Sequence, residues 1–125
     1  MQTDTQDRKT EELLAGLAMH TGSEQVFRHW TRRFAYTEGV RYLAEKAAAY
    51  WLIDLVASWC PHETIRDEEF VVWKLTVRED RTAVAAADDG NGRKLASQDI
   101  LFTDFPLNEI TLYLTNGVLL VPSEY

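Results

Sequence analysis

The chain has 125 residues, of which 46% are hydrophobic and 26% charged, proportions typical of one soluble globular domain built around a single core. Its 20 acidic and 13 basic residues give a formal net charge of −7, which disfavours non-specific attraction to nucleic acid or anionic lipid. No apolar run reaches the length of a membrane span and no charged-then-apolar leader precedes the first helix, so we expect a cytoplasmic protein without a membrane partner.

The first predicted helix lies in EELLAGLAMH, where apolar residues recur at helical spacing on one side: Leu13, Leu14, Leu17 and Ala18. We expect residues 1–8 to be frayed, and Thr21 with Gly22 to end the helix. The next stretch, SEQVFRHWTRRFAY, mixes β-branched and aromatic residues with arginines, which indicates short extended segments at about 25–30 and 33–36. A second helix is the alternative for this stretch.

The main helix is predicted at about 38–59. Thr37 is a favourable N-cap for GVRYLAEKAAAYWLIDLVASWC, a run of strong helix formers that stops at Pro61. Between Ala47 and Cys60 this run is apolar on nearly every side, so we expect the helix to be central and buried on more than one face.

A three-stranded antiparallel meander follows the main helix. FVVWKLTV alternates in polarity, and one of its faces consists of Val71, Trp73, Leu75 and Val77. The turn sequences REDR and DDGNG then lead the chain through TAVAAA and RKLASQDILF.

The last segment permits two structures. Pro106 suits a first helical turn, and the spacing of Leu107, Ile110 and Leu114 favours a helix over 106–116. The alternative is a hairpin through Asn116-Gly117, since the segment is rich in strand formers: Thr111, Tyr113 and Thr115. VLLV is expected to be the last strand in either case.

The predicted fold class is α+β. No internal repeat or linker-like change of composition divides residues 1–125, so we expect a single compact domain. In it, the long central helix and the flanking helices pack on an antiparallel sheet.

Asp54 is a carboxylate in the apolar part of the main helix, where burial without partners would cost several kcal/mol. Tyr50 and Ser58 lie one turn before and one turn after it on the same face, and we call these three residues the polar seam. The favoured interpretation is a narrow exposed strip or a hydrogen-bond anchor that takes a partner, such as an arginine, from the RHWTRR segment.

A catalytic role for Asp54 is the competing interpretation. In that hypothesis Asp54 is a general base in a cleft between helix and sheet, and the walls of the cleft are Trp51, Trp59 and Trp73. No nucleophile or second acid is visibly paired with Asp54, so no residue is predicted to be catalytic.

A candidate basic patch interrupts this acidic chain, and its residues are Arg28, Arg32, Arg33 and Arg41. Aromatic residues lie between these arginines, a combination that single-stranded nucleic acid can use for stacking and phosphate pairing. The favoured interpretation is that the arginines cover apolar surface and pair with nearby acids. Mimicry of nucleic acid is an alternative for an acidic face, although charge runs in loops are usually only solvated. The acidic residues of that face are Glu63, Asp67, Glu68, Glu69, Glu79, Asp80, Asp88 and Asp89.

No metal or cofactor site is predicted. His29, Cys60 and His62 lack the paired spacing of a structural zinc site, and a single thiol cannot form an intramolecular disulfide. Phosphate-binding loops, dinucleotide fingerprints and the Gly-x-Ser-x-Gly motif of hydrolases do not occur in the sequence.

A resemblance to a known family covers nearly the whole chain, and it is carried by LAMHTGSEQVFRHW, YTEGVRYLAEKAAAYWLID and TDFPLNEITLYLTNGVLLVPSEY. They resemble a family of small uncharacterised bacterial proteins, a domain of unknown function found on plasmids, prophages and other mobile elements. Tyrosines are more usual in that family at the positions of Val26 and Phe27, and a glycine at the position of Ala48. The resemblance implies a bacterial, cytosolic setting and brings no activity or catalytic residue with it.

These observations favour a non-catalytic accessory protein of a mobile element that binds another protein as a regulator or inhibitor. The alternative is a small-ligand binding protein or enzyme that uses Asp54, and a second alternative is a single-stranded nucleic-acid binder through Arg28–Arg41. A homodimer is compatible with the sequence, because small sheets often cover an open edge by pairing.

Overall fold

The computed structural model of the chain describes residues 2–18 and 25–125. Within this part of the chain, the helices are α1 (Gln2–Ala18), α2 (Glu38–Lys46) and α3 (Tyr50–Trp59), and a short 3-10 helix covers Pro122–Glu124. The strands are β1 (Val26–Arg28), β2 (Ala35–Thr37), β3 (Phe70–Val77), β4 (Ala83–Asp88), β5 (Lys94–Ile100), β6 (Glu109–Thr115) and β7 (Val118–Leu120). These elements confirm the two short extended segments before the main helix, the meander and the α+β class.

The strands form one seven-stranded sheet in the order β1-β2-β7-β6-β3-β4-β5. All neighbours are antiparallel except β2 and β7, which run parallel, so the sheet is mixed rather than purely antiparallel. In the described part of the chain, the edge strands of the sheet are therefore β1 at one end and β5 at the other.

One hydrophobic core joins the helices to the sheet. The buried face of β3 carries Val71, Trp73, Leu75 and Val77, as the alternation in its sequence predicts. β4 adds three buried alanines to the same core, and α3 adds Leu52, Ile53, Leu55, Val56 and Ala57. The first helix contributes Leu13 and Leu17, whereas Leu14 and Ala18 are exposed instead of sharing the predicted buried side. The predicted stop at Thr21 and Gly22 lies outside the described residues.

The predicted main helix is divided into α2 and α3. Ala48 between them has a φ angle of +51°, and the Ala49 amide donates to the Ala44 carbonyl oxygen at 2.9 Å. A left-handed residue inside such a closure is the usual C-terminal stop of a helix, and glycine normally occupies it. Because the chain has alanine at this position, helix propensity alone did not reveal the break.

The prediction of a helix over 106–116 is wrong, and the hairpin alternative is right. β6 and β7 are joined by Asn116 and Gly117, whose φ angles of +51° and +73° belong to a two-residue hairpin turn. β6 pairs with β3 along seven residues, so sheet pairing overrides the helical spacing of its leucines. The apolar set that packs on the core has a period of two: Ile110, Leu112 and Leu114.

The C-terminus closes onto the start of α2. The Glu124 carboxylate accepts hydrogen bonds from the Thr37 hydroxyl at 2.6 Å, the Gly39 amide at 3.2 Å and the Val121 amide at 3.1 Å. Thr37 itself accepts the Val40 amide, as expected of an N-cap. The closing VPSEY therefore belongs to the packed domain and is not a loose tail.

Candidate functional site

The polar seam lies on the exposed face of α3. Tyr50 is 44% exposed and the Asp54 side chain 53% exposed, and Ser58 is also exposed. The Tyr50 hydroxyl donates to the Glu45 carboxylate at 3.4 Å, and the Ser58 hydroxyl donates to the Leu55 carbonyl at 2.6 Å. Partial burial, with the Glu45 charge second, raises the pKa of Tyr50. The seam is thus a strip of exposed polar groups that are already hydrogen-bonded.

Asp54 connects α3 to the loop between β1 and β2. Its Oδ1 accepts the ring N–H of His29 at 2.7 Å and that of Trp30 at 3.0 Å. His29 is 3% exposed, whereas Trp30 is 77% exposed. The partners do come from the RHWTRR segment, but they are a histidine and a tryptophan rather than an arginine. Asp54 therefore fixes a buried imidazole and an exposed indole with one oxygen.

The hydrogen bonds around His29 select one neutral tautomer. The Thr31 amide donates to His29 Nδ1 at 3.2 Å, and the Thr31 hydroxyl lies 2.8 Å from the same nitrogen. A nitrogen that accepts an amide hydrogen carries no proton, so the ring proton lies on Nε2 and points to Asp54. The ring also lies against Phe34, with centroids 5.1 Å apart. His29 thus works as a rigid support beneath Trp30.

Asp54, His29 and Thr31 have the residue types of a catalytic triad, but they contact the two ring nitrogens in the opposite order. In a triad the carboxylate holds Nδ1 and leaves Nε2 for the nucleophile, which is the reverse of the arrangement here. The same local geometry recurs at His62, whose Nδ1 lies 2.9 Å from the Thr64 hydroxyl and accepts the Thr64 amide at 3.3 Å. The recurrence identifies a local His-x-Thr turn, so Thr31 is not an activated nucleophile.

The three tryptophans proposed as cleft walls do not surround Asp54. Trp73 is 2% exposed in the core, and its indole nitrogen is buried without a hydrogen-bond partner among the described residues. Trp59 donates its indole N–H to Gln98 on β5 at 2.7 Å, and Trp51 borders a shallow cleft beside the end of β5. The hypothesis of Asp54 as a general base between helix and sheet has no support in this geometry.

The arginines of the basic patch are all exposed, and only one has an ion-pair partner in the described part of the chain. Arg41 donates to Glu45 at 3.0 Å and lies over the Phe27 ring at 4.6 Å. The hydrogen bond that Arg41 donates to Glu45, and then the charge of Glu45, raise the pKa of Arg41. Three arginines of the patch form no ion pair with any described residue, and they lie in the β1–β2 loop or at the end of β1: Arg28, Arg32 and Arg33.

Cys60 lies in a surface cleft of about 400 Å³ that Arg33 also borders. The thiol donates to the Val56 carbonyl at 3.4 Å, and burial raises its pKa against the opposing effect of Arg33. The structure does not bring His29, Cys60 and His62 together, and within residues 2–18 and 25–125 no three histidine, cysteine or carboxylate side chains form a set of metal ligands. Because burial raises its pKa, Cys60 is a thiol rather than a thiolate at neutral pH.

Sequence reasoning missed a second exposed apolar site at the end of β5. Leu101 is 90% exposed and Phe102 is 71% exposed. The loop that carries them is held by Arg81, whose guanidinium donates to the Thr103 and Phe105 carbonyls at 3.0 and 2.6 Å. The sequence LFTDFP contains the two residues, but no periodicity in it distinguishes an exposed apolar pair from a buried one.

Comparison with known proteins identifies a family but no activity. The family model described as "Family of unknown function (DUF6876)" matches residues 11–125. No curated protein and no solved structure matches the chain. In the described part of the chain, every helix is too short or too polar to span a membrane.

Proposed function

Because the chain belongs to DUF6876, a family of unknown function, we propose from its geometry that it is a non-catalytic protein-binding module with Trp30 as its anchor residue. In this proposal it is a cytoplasmic accessory protein of a bacterial mobile element, and it regulates or inhibits the protein that it binds.

The observation that carries the proposal is an exposed indole held in one orientation. Trp30 is 77% exposed, yet its N–H donates to Asp54 and its ring lies 5.5 Å from the buried His29 ring. Tryptophan is enriched among the residues that contribute most to protein interfaces. An indole that is already fixed loses little conformational entropy when a partner covers it, so the cost of binding is small.

The surroundings of Trp30 indicate the chemistry of the partner. Arg28, Arg32 and Arg33 flank it and are exposed, and none of them forms an ion pair with a described residue. A surface that matches an exposed indole in a loop rich in arginine has an apolar pocket with carboxylates near it. We therefore expect the partner to be acidic at this contact.

The test begins with capture of bound protein from bacterial lysate and continues with the affinity of the purified partner. A contribution of about 2 kcal/mol from a central tryptophan predicts that Trp30→Ala weakens binding roughly 30-fold. Asp54→Ala leaves the Trp30 indole in place but removes its hydrogen bond, so this substitution should weaken binding less than Trp30→Ala does. Tyr125→Ala is the matched control, because Tyr125 is 73% exposed on a different element and should be dispensable. Equal affinity of the wild type and Trp30→Ala would refute the proposal.

Single-stranded nucleic acid is the second candidate partner, since the same indole and arginines fit a stacked base beside phosphates. Indole fluorescence separates the two candidates in a titration with a short single-stranded oligonucleotide at low salt. Quenching that disappears in Trp30→Ala and weakens steeply with salt would replace the protein partner with nucleic acid. Unchanged fluorescence would remove nucleic acid as a candidate.

A further inference from the structure

Among residues 2–18 and 25–125, no strand lies beside the outer edge of β5, which pairs with β4 alone. The seven residues of β5 end at Ile100, and the exposed Leu101 and Phe102 follow. An open strand edge next to exposed apolar side chains is a template for adding another strand. We propose that the added strand is β5 of a second copy of this chain, paired antiparallel about a two-fold axis at Ser97.

Symmetry restricts how two copies of β5 can pair. A two-fold axis places one residue of the strand opposite itself, and the remaining residues pair in equal steps on either side. With Ser97 on the axis, Gln98 of one copy lies opposite Ala96 of the other. Within the chain β5 has a bulge, because Ala96 pairs with Ala87 whereas the next pair is Lys94 with Asp88. Leu95 is the extra residue of this bulge. If Leu95 is also skipped in the pairing between the two copies, Lys94 of one copy lies opposite Asp99 of the other.

Charge complementarity selects Ser97 as the axis. Lys94 and Asp99 pair with Asp88 and Val84 of β4, on the face of the sheet whose β4 residues are only half buried. Two symmetric Lys94–Asp99 pairs therefore form on the outer face of the joint sheet. An axis at Ala96 would place Lys94 opposite Ser97, and an axis at Gln98 would place Asp99 opposite Ser97. Neither of these registers pairs opposite charges.

The exposed apolar pair extends the interface beyond the strands. Leu101 and Phe102 follow β5 directly, so in this register they lie against the β4–β5 turn of the other copy. A Cβ added at Gly92 in that turn would meet nothing within 4 Å, so an apolar side chain of the other copy can approach the turn without a clash. Pairing thus covers part of Leu101 and Phe102 while it satisfies the open edge.

Sedimentation of the full chain across the micromolar range tests the dimer itself. The expected species has twice the chain mass of 14.4 kDa and dissociates on dilution. Phe102→Ser should shift the equilibrium toward monomer, with circular dichroism to show that the variant is folded. A monomer at every concentration would overturn the proposal and leave the bulge and Lys94 as protection of a permanently open edge.

Disulfide crosslinking tests the axis. In a Cys60→Ala background, Ser97→Cys should form a covalent dimer under mild oxidation, because residues opposite each other in antiparallel strands have Cα atoms about 4.5 to 5.5 Å apart. Gln98→Cys and Glu79→Cys, in the same Cys60→Ala background, are the matched controls and should form little covalent dimer. Crosslinking of either control at the rate of Ser97→Cys would refute an axis at Ser97.

Charge reversal tests the ion pairs. Asp99→Lys and Lys94→Glu each create two like-charge pairs, so each variant alone should dimerise at least tenfold more weakly than the wild type, whereas an equimolar mixture should dimerise. Glu79→Lys changes the net charge as much as Asp99→Lys and should leave the dimer intact. Wild-type dimerisation of Asp99→Lys alone would contradict the register.

Discussion

Replacement of Ala48 by glycine is expected to stabilise the protein. Ala48 is exposed and has a φ angle of +51°, between helices that end at Lys46 and begin at Tyr50. An L-residue in this left-handed region places its Cβ too close to the following carbonyl oxygen, and glycine has no Cβ. The substitution thus removes a steric conflict without removing a buried group.

The expected gain follows from two opposing contributions. The left-handed conformation costs a residue other than glycine roughly 1 to 2 kcal/mol. Glycine loses more conformational freedom on folding, which costs about 0.5 to 1 kcal/mol. The net increase in the free energy of unfolding is therefore about 0.5 to 1 kcal/mol. At roughly 2.1 cal/mol/K per residue, the 125 residues give an unfolding entropy near 0.26 kcal/mol/K, so Tm should rise by about 2 to 4 °C.

Thermal and urea unfolding of the wild type and two variants measure this difference. Ala47→Gly is the matched control, because Ala47 has a φ angle of −102° and is 7% exposed. Glycine there removes a buried methyl group and relieves no strain, so Ala47→Gly should destabilise the protein by about 1 kcal/mol. If Ala48→Gly also lowers Tm, the left-handed geometry at residue 48 and the division of the predicted helix are both wrong.

Three further predictions concern the α2 terminus and Cys60. Gly39→Ala should lower the free energy of unfolding by about 1 to 3 kcal/mol in urea titrations, because the new Cβ would lie 2.6 Å from a Glu124 carboxylate oxygen; unchanged stability would show that the C-terminal residues move aside freely. Glu124→Gln should cost about 1 to 2 kcal/mol in the same assay, since the carboxylate accepts three hydrogen bonds, two of them from the start of α2 and one from the Val121 amide; an effect near zero would mean that these bonds are not formed in solution. Alkylation of Cys60 at about pH 8 should be slower than that of a cysteine in a short peptide, because burial raises the pKa of its thiol. Arg33→Ala should slow the reaction further, since Arg33 opposes that rise, and mass spectrometry of the modified fraction would reveal either rate.

The meander and the strands β1 and β2 were predictable from the sequence, because alternation of polarity and turn residues determine the structure of a few neighbouring positions. The break at Ala48 was hidden since its signal is a backbone angle that glycine would have revealed. The hairpin at Asn116-Gly117 was readable as an alternative, but the choice depended on β3, some 40 residues earlier, as the strand that β6 pairs with. Long-range pairing of this kind has no local mark in the sequence.

The candidate site was likewise predictable only where local sequence signals determine it. Helical spacing predicts Tyr50, Asp54 and Ser58 on one face, and all three are exposed on α3. The cost of burying a carboxylate predicts partners or water for Asp54, whose carboxylate is half exposed and hydrogen-bonded. The identity of the partners depended on the fold of the β1–β2 loop, which brings His29 and Trp30 to α3. The exposure of Trp30 was not predictable, because an indole between arginines suits a core and a surface equally well.

The two proposed interfaces are compatible because they lie at opposite ends of the sheet. Trp30 lies in the loop that follows the edge strand β1, and β5 is the other edge. At about 4.8 Å per strand, pairing of two β5 strands gives a fourteen-stranded sheet whose Trp30 anchors are about 60 Å apart. Both anchors remain exposed in that dimer, so a monomeric partner should bind each one independently. A partner with two linked sites at that spacing would gain avidity from the dimer. Asp99→Lys should therefore leave the affinity for a monomeric partner unchanged and reduce only the avidity for a linked one, whereas Trp30→Ala should weaken both.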